Sequence, residues 1–500
     1  MGYPGKLALL FFALQLTFSY AKAQDNVFPI ISKNDMATEM EQHVNWLCSH
    51  KLLGRSTVTG HDLLAANYID SLFTAYSLSY ASENITNGYY QDFQIVKNTP
   101  IERTITIFNR KYNYNTDFIS LGINPIDGKE IEVVFGGLGE YDDIDSLDLD
   151  GKALLVITDN LRVAGMKIQE QAASKGCALI ICFNPSNTKQ FGLISQQLNN
   201  HHNRTTFSLA KSDPTSQTRF FSRLANPISQ ILISDNVAAA LLGEKPSSIW
   251  QNISKGKGYR QLPNFVKIRF DFNYQTDTIT TNNVIGIVPS NKNSQQSVVV
   301  GAHIDHLAPM GQFWYPGADD NASGTALLIE LSRIFASLAK DGLTPKRNIV
   351  FAAFTAEEIG LLGSEHYTQN PVFPIDSISV YLNLDMVGKM DSTSEKGYVL
   401  HLSGSNRIGD FEEIIKNLIY PSNIQIDTKS FEEISLFTLS DHYHFMEKGV
   451  PAFLITSGMH SDYHKPTDTP EKLLVKGMTE IAWVTFQAIW HFANAENPWE

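Results

Sequence analysis

The stretch VFAAFTAEEIG, Val350–Gly360, is apolar up to Phe354 and then places two carboxylates, Glu357 and Glu358, side by side. A short continuous apolar run of this kind is typical of a strand that is buried on both faces, as in a parallel sheet. Removing carboxylates from water at the edge of a core costs free energy, so such carboxylates usually have a cationic partner or a chemical role. The carboxyl end of this strand is therefore the first candidate for a functional site.

Three further apolar segments predict buried strands, and each is also followed by polar side chains. They are Val298–Ala302, followed by HIDH; Val380–Leu384, followed by Asp385; and Ala452–Thr456, followed by a loop with His464. Helical patterns separate these segments, and one helix opens on the acidic turn GADDN. Strands that alternate with helices predict an α/β fold with a mixed, largely parallel central sheet flanked by helices. The carboxyl ends of such strands share one edge, where ligands bind.

The side chains gathered at this edge suit a metal site. The residues whose side chains could bind a metal ion, called metal-type residues below, are His303, Asp320, Glu358, Asp385 and His464. Imidazole and carboxylate groups together favour zinc. A single catalytic zinc takes three protein ligands and a water, whereas five protein groups are present here. If one carboxylate bridges, two ions can share the site with a common water or hydroxide, roughly 3.5–4 Å apart.

The two adjacent glutamates can then have different roles, one in metal binding and one in proton transfer. Neighbouring residues at a strand end point in different directions. One carboxylate can therefore bind metal while the other faces the water and accepts its proton. We assign Glu358 as the ligand and Glu357 as the general base.

Six motifs together resemble a known family. In chain order they are HIDH, GADDNASG, FTAEEIGLLGS, YLNLDMVG, SDHYHF and YHKPTDTPEKL. The series is similar to the M28 metallopeptidases, the co-catalytic di-zinc aminopeptidases, from about Asn282 to the C-terminus. The resemblance implies a zinc-exopeptidase fold, two zinc ions per chain and peptide substrates with a free amino terminus.

The resemblance also implies roles for single residues. The metal roles fall on His303 and Asp385 for one zinc, on Glu358 and His464 for the other, and on Asp320 as the bridge. Glu357 matches the catalytic base, and Asp305 matches the carboxylate that orients His303.

Several residues near these motifs receive secondary roles. Some members of the family polarise the substrate carbonyl with a tyrosine near the SD motif, where this chain has Phe437 and Thr438. Tyr443 and Tyr463 remain as candidates for that role. The residues expected to support or orient the ligands are His306, Asp319, Asp441, His442 and His444. The LLGR sequence that ends at Arg55 is interpreted as a turn that ends a helix.

The ends and the middle of the chain predict its domain organisation. Lys6, the apolar run Leu7–Phe18 and a small-residue site at Ala21–Ala23 predict a cleaved signal peptide, residues 1–23, and a secreted or periplasmic protein. No later segment approaches the roughly 20 apolar residues that span a bilayer. Residues 117–258 have a β-like texture and resemble a protease-associated domain, less specifically. Residues 24–116 and 259–500 then form a discontinuous M28 peptidase domain.

Composition excludes some functions, and the motifs leave others open. A formal net charge of −13 without a stripe of basic residues argues against nucleic-acid binding. The three cysteines lack CxxC spacing, so neither a disulfide framework nor a thiolate zinc site is expected. The alternatives are a glutaminyl cyclase with one zinc, a glutamate-releasing carboxypeptidase, or a non-catalytic binding domain, which would be expected to lose ligands or the base. Substrate side-chain preference and oligomeric state have no signal in the sequence.

Overall fold

The structure is a computed structural model of the 500-residue chain. It describes residues 32–81, 87–121, 128–159, 161, 164–187, 189–202, 205–211, 228–255, 266–389, 398–418, 424–428 and 440–499. The expected signal peptide, residues 1–23, and the positions Phe437 and Thr438 lie outside the described residues.

The described part of the chain forms helices α1–α12 and strands β1–β15. The helices are α1 Lys33–Leu47, α2 Asp62–Tyr76, α3 Tyr141–Asp145, α4 Ala164–Ser174, α5 Lys189–His202, α6 Asp235–Leu242, α7 Pro246–Ser254, α8 Gly324–Lys340, α9 Leu362–Gln369, α10 Ile408–Leu418, α11 His442–Glu447 and α12 Val475–Asn494. The strands are β1 Tyr90–Ile107, β2 Arg110–Asn113, β3 Phe118–Leu121, β4 Glu130–Phe135, β5 Ala153–Ile157, β6 Leu179–Phe183, β7 Thr206–Leu209, β8 Ser229–Ile233, β9 Lys267–Val288, β10 Ser297–His303, β11 Asn348–Phe354, β12 Ile378–Leu384, β13 Tyr398–Gly404, β14 Ile424–Asp427 and β15 Ala452–Thr456.

The chain divides into two compact units. One comprises Met1–Ile95 with Ile279–Glu500, and the other comprises Val96–Thr278. The second unit is wider than the insertion of 117–258 that the sequence texture predicted. The difference arises because both unit limits fall inside long strands, β1 and β9, rather than in the polar loops beside them.

The sheet of the first unit is mixed and largely parallel, which confirms the predicted fold class. Strands β11, β10, β12 and β15 are neighbours in that order, and each pair is parallel. Strand β9 pairs with β11 in antiparallel orientation. On the other side, β13 pairs with β15 in antiparallel orientation, and β14 pairs with β13 in parallel orientation. The four strands predicted from apolar runs are thus the four central ones, and every residue of β10 and β11 is buried.

The helix α8 brings a polar turn close to the sheet edge. A turn of π-helix, Ala318–Ser323, precedes it. A Cβ added at Gly324, the first residue of α8, would lie 2.3 Å from the carbonyl oxygen of Leu384 at the end of β12. Only glycine permits that approach, so the turn that contains Asp320 lies beside the residue that follows β12.

One helical segment has the length and composition of a membrane span. Residues Ala318–Lys340 reach a mean hydropathy of 1.3 over an 18-residue window, but 83% of that window is buried inside the protein. The core helix of a globular domain has the same features, so the segment is weak evidence for a span. Within the described part of the chain it is the one segment that meets these criteria.

The second unit contains more helix than the β-rich module that was expected. Strands β4, β5, β6 and β8 are neighbours in that order and pair in parallel, while β3 joins β8 antiparallel. Parallel neighbours require crossover connections, which are usually helices. The described residues of this unit contain the five helices α3–α7, and α4 connects β5 to β6. The resemblance to a protease-associated domain stays a prediction.

Candidate metal centre

The ends of the central strands bring the predicted site residues together. His303 is the last residue of β10, Asp385 follows β12 directly, and the two glutamates are the third and fourth residues after β11. Asp320 lies in the turn before α8, and His464 lies in the loop after β15. Since these strands are parallel and adjacent, their carboxyl ends meet at one edge.

The first group of side chains is centred on His303. Its Nε2 lies 3.3 Å from Oδ1 of Asp385 and 3.4 Å from Oδ1 of Asp320. Its Nδ1–H donates to the backbone carbonyl of Asp305 at 3.1 Å, which leaves Nε2 as the ring nitrogen that faces the carboxylates. The Ser440 hydroxyl donates to Oδ2 of Asp385 at 2.6 Å and holds that carboxylate in place.

The second group is centred on Glu358. The Nε2 atom of His464 lies 3.2 Å from Oε2 of Glu358 and 3.1 Å from Oδ2 of Asp320. The Nδ1 atom of His306 lies 2.6 Å from Oε1 of Glu358. Asp320 therefore faces the first group with Oδ1 and the second with Oδ2, which is the geometry expected of a bridging carboxylate.

Two residues that were given other roles also lie within metal-binding distance. One set of donor atoms, all within 4.8 Å of one another, comes from His303, Glu357 and Asp385, and a second set comes from His306, Asp320 and Glu358. Glu357 was predicted as the base, and His306 was predicted only as a supporting residue. The second histidine of the HIDH motif was the sequence signal for the position of His306.

The electrostatics of the cluster favour a bound cation. The side chains of Asp320 and Glu358 are only 5% and 6% exposed, and their recorded ion pairs are with histidines. In the part of the chain that is described, Oδ2 of Asp320 is buried without an aligned hydrogen-bond donor, although His464 is near. A buried carboxylate oxygen whose neighbouring donors are not aligned with it is costly unless a cation binds it. The donor set thus fits zinc, which prefers nitrogen and carboxylate ligands.

The two adjacent glutamates differ in their affinity for protons. Burial raises the pKa of Glu357 well above its usual value, and the nearby carboxylates of Glu358 and Asp385 raise it further. Burial and Asp320 would also raise the pKa of Glu358, but His306 and His464 outweigh them and lower it. Neighbouring carboxyl groups with pKa values displaced in opposite directions are typical of divided acid–base roles.

Asp305 acts on the site differently from the expected arrangement. Its Oδ1 accepts a hydrogen bond from the backbone N–H of Glu357 at 3.1 Å. The same oxygen lies 4.0 Å from Nδ1 of His303, so the backbone carbonyl of Asp305 is the closer partner of that ring. The Thr57 hydroxyl donates to the other carboxylate oxygen at 3.3 Å. Asp305 thus orients His303 through its main chain and Glu357 through its side chain.

The LLGR sequence does more than end a helix. Arg55 follows α1 in a short 3-10 segment and is fully buried. Its guanidinium donates to the backbone carbonyl oxygens of Leu47, Ile304, Pro316 and Gly317. Two of these carbonyls belong to the residues just after His303 and just before the Asp320 turn. Sequence reasoning missed this role because backbone acceptors leave no side-chain signature.

Replacing Arg55 with methionine is expected to lower the free energy of unfolding by about 3 kcal/mol or more, because several buried carbonyls would lose their donor. Chemical denaturation of the metal-free protein measures the change. Arg407→Met is the control, since Arg407 is 39% exposed and pairs with Asp410 at the surface. Its loss should cost under about 1 kcal/mol. Equal effects of the two substitutions would contradict the supporting role of Arg55.

The remaining candidates differ in their distance from the cluster. The Tyr463 ring stacks on His464 with centroids 3.8 Å apart, and burial raises the pKa of its hydroxyl, which stays protonated. The Tyr443 hydroxyl instead donates to Glu447, which also pairs with His444. Tyr463 is therefore the better placed of the two tyrosines.

The other residues expected to support the ligands are buried. Asp319 lies 3.2 Å from Nε2 of His460 through its Oδ2. Burial raises the pKa of Asp441 to about 6 and lowers the pKa of His442 to about 3. The neutral imidazole of His442 is fully buried.

A separate cavity of about 880 Å³ lies in the second unit. Its lining includes Tyr141, Trp250, Glu140 and Asp159, and it includes neither histidine nor cysteine. Among the described residues, the two groups of side chains that could hold a metal ion lie at the sheet edge of the first unit.

Sequence comparisons match the part of the chain that contains the cluster to known peptidases. Residues 283–489 match the profile of Peptidase family M28. Aminopeptidase YwaD of Bacillus subtilis is 30% identical over 228 residues, which cover 43% of this chain and 46% of that protein. The probable glutamate carboxypeptidase AMP1 of Arabidopsis thaliana is 30% identical over 170 residues, which cover 34% of this chain and 23% of that protein. The chain thus spans about half the length or less of these curated relatives.

Among solved structures, an aminopeptidase from Aneurinibacillus sp. strain AM-1 aligns over 92% of this chain and 94% of its own, with a TM-score of 0.49 and 21% identity.

The α/β sheet of this chain and the imidazole–carboxylate cluster at the edge of that sheet define a domain of the metallopeptidase class. Within that class, residues 283–489 form a peptidase family M28 domain, which confirms the family expected from the motifs.

Proposed function

We propose that the chain is a zinc-dependent aminopeptidase that removes N-terminal residues from peptides and holds two zinc ions in the cluster. The observation that carries this proposal is the position of Asp320, whose two oxygens face two separate groups of metal-type side chains. The match of residues 283–489 to Peptidase family M28 supports peptide-bond hydrolysis as the reaction.

The residues around the cluster can perform the steps of hydrolysis. Zinc, when bound, supplies a Lewis acid that polarises the peptide carbonyl and makes water a better nucleophile. Glu357 accepts the proton of the attacking water and returns it to the departing amine, because its carboxylate lies beside His303 in the cluster and burial raises its pKa above the usual value. The hydrogen bond from its backbone N–H to Asp305 holds Glu357 in position.

The surroundings of the cluster favour a substrate with a free amino group. The side chains of Glu357 and Asp385 are 10% and 13% exposed, and His464 is 36% exposed, so the cluster opens on this side. A carboxylate-rich opening attracts an amine or ammonium group and gives a neutral amide less stabilisation. This preference would select the amino terminus of a peptide.

The requirement for a free amine is tested with pairs of aminoacyl-nitroanilide substrates that differ only in N-acetylation. Acetylation is expected to lower kcat/KM by about 100-fold or more, since a site built for a polar group rejects an analogue that lacks it. The leaving group is the same in each pair and serves as the internal control. A chelator should abolish hydrolysis, and added zinc should restore it.

Two outcomes would contradict the proposal. Efficient cleavage of the acetylated substrates would show that another kind of hydrolase is present. Release of C-terminal glutamate from peptides, without N-terminal cleavage, would favour a glutamate carboxypeptidase, the activity for which the Arabidopsis relative is named.

A further inference from the structure

Asp468 is a fully buried carboxylate four residues after His464, and it contacts the turn that contains Asp320. Its Oδ2 accepts hydrogen bonds from the backbone N–H groups of Asp319 at 2.9 Å and Asp320 at 3.2 Å. Its backbone carbonyl accepts a third hydrogen bond from the N–H of Ala318 at 3.2 Å. The loop that carries His464 is therefore attached directly to the main chain of the bridging residue.

Lys389 connects a third loop to the same point. It lies four residues after Asp385, and its side chain is 8% exposed. Its Nζ lies 3.1 Å from Oδ1 of Asp468 and 2.8 Å from Oδ2 of Asp462. A buried carboxylate without a cation is strongly destabilising, so Lys389 offsets the charge that Asp468 brings into the interior.

A second carboxylate joins the same three loops independently. Oδ1 of Asp319 accepts a hydrogen bond from the backbone N–H of Gly388 at 2.6 Å, and Oδ2 lies 3.2 Å from Nε2 of His460. Gly388 belongs to the loop after Asp385, and His460 belongs to the loop of His464. We name the four residues Asp319, Lys389, His460 and Asp468 the loop latch. Asp319, Lys389 and Asp468 contact one another and atoms of these loops, so the latch acts on the loops and not on the reacting atoms.

We propose that Asp468, with Lys389 as its counter-ion, is a positioning residue that fixes Asp320, Asp385 and His464 in metal-binding geometry. The inference rests on the proposed metal cluster. Asp468 sets the main chain of Asp320, so that its carboxylate spans both groups, and holds the His464 loop against the same turn. Without Asp468, the loops would move independently, and the conformational entropy lost when they become ordered would weaken metal binding.

Zinc affinity of the full-length protein tests the latch without any substrate. The variants are Asp468→Asn and Lys389→Met, and their double variant. Competition with a chromophoric chelator is expected to show zinc binding weakened about tenfold or more in each single variant, the range typical of residues that orient metal ligands. The double variant should recover part of the Lys389→Met loss, because Asp468→Asn removes the unpaired buried charge. Excess zinc should restore most of kcat.

Lys346→Met is the matched control, since Lys346 pairs with the exposed Glu496 and should leave zinc affinity unchanged. Thermal unfolding of the metal-free variants is measured in parallel. Lower stability with zinc affinity equal to that of the unmodified protein in Asp468→Asn, the milder variant, would show a merely structural ion pair and overturn the proposal. If the unmodified protein binds zinc but does not cleave peptides, the proposed function fails while the latch still stands.

Discussion

Replacing Glu357 with glutamine is expected to lower kcat by about 10²–10⁴-fold, the range of a general base, while the zinc content stays unchanged. Glutamine has nearly the same shape but cannot accept a proton from water. Burial has raised the pKa of this glutamate, whereas the pKa of Glu358 is lowered, so the proton-accepting role should fall on Glu357 alone. Steady-state kinetics on an aminoacyl nitroanilide and metal analysis by mass spectrometry measure the two quantities.

The adjacent Glu358 provides the matched control, because Glu358→Gln makes the same chemical change one residue further on. Glu358 lies 2.6 Å from His306 and 3.2 Å from His464, within the second donor group. Its substitution should therefore lose or weaken zinc binding, and added zinc should restore part of the activity. An exchange of the two phenotypes would reverse the assignment. Loss of zinc in Glu357→Gln would make Glu357 a ligand, as its distance from His303 and Asp385 also permits.

Replacing Asp320 with asparagine is expected to remove both metals, from about two zinc ions per chain to well under one. The reason is that Oδ1 of Asp320 faces His303 while Oδ2 faces His464, so a single substitution weakens both groups. Asparagine keeps the size of the side chain and tests the charge and the second oxygen. Metal analysis after exhaustive dialysis gives the stoichiometry, and hydrolysis should fall below detection.

Asp385→Asn controls for the general loss of one carboxylate. Asp385 faces His303 and is held by Ser440, so only the first group should be affected and about one zinc ion should remain. Retention of both ions in Asp320→Asn would show that Asp320 does not bridge. A single tightly bound ion in fully active, unmodified protein would contradict the two-metal proposal and favour the one-zinc alternative.

The strands and the site edge could be predicted because their signals are local. Strands β10, β11, β12 and β15 are short apolar runs, and strands that are buried on both faces leave that pattern in the sequence. Parallel strands also place their carboxyl ends together, so residues that follow different strands could be assigned to one site before any distance was known. The predicted strand positions and the meeting of the predicted residues at one sheet edge followed from these two rules.

The insertion and the supporting contacts could not be predicted to the same depth. The limits of the second unit fall inside β1 and β9, where no change in composition marks them. The orientation of His303 depends on a backbone carbonyl of Asp305, although the sequence pattern suggested its carboxylate. Backbone atoms are the same at every position, so a contact made by the main chain leaves no pattern to find.

By itself the sequence predicted the fold class, the resemblance of the C-terminal part to Peptidase family M28 and the side chains that meet at the sheet edge, because these depend on apolar periodicity and on side-chain chemistry that each segment carries alone. The tertiary structure decided which oxygen of Asp320 faces which histidine, that Arg55 supports loops up to 262 residues away, and that Asp468 contacts the main chain of Asp320, 148 residues before it. Such contacts arise only when distant loops pack against one another. Their geometry is set by the whole core rather than by any one segment, and the roles of the site residues depend on it.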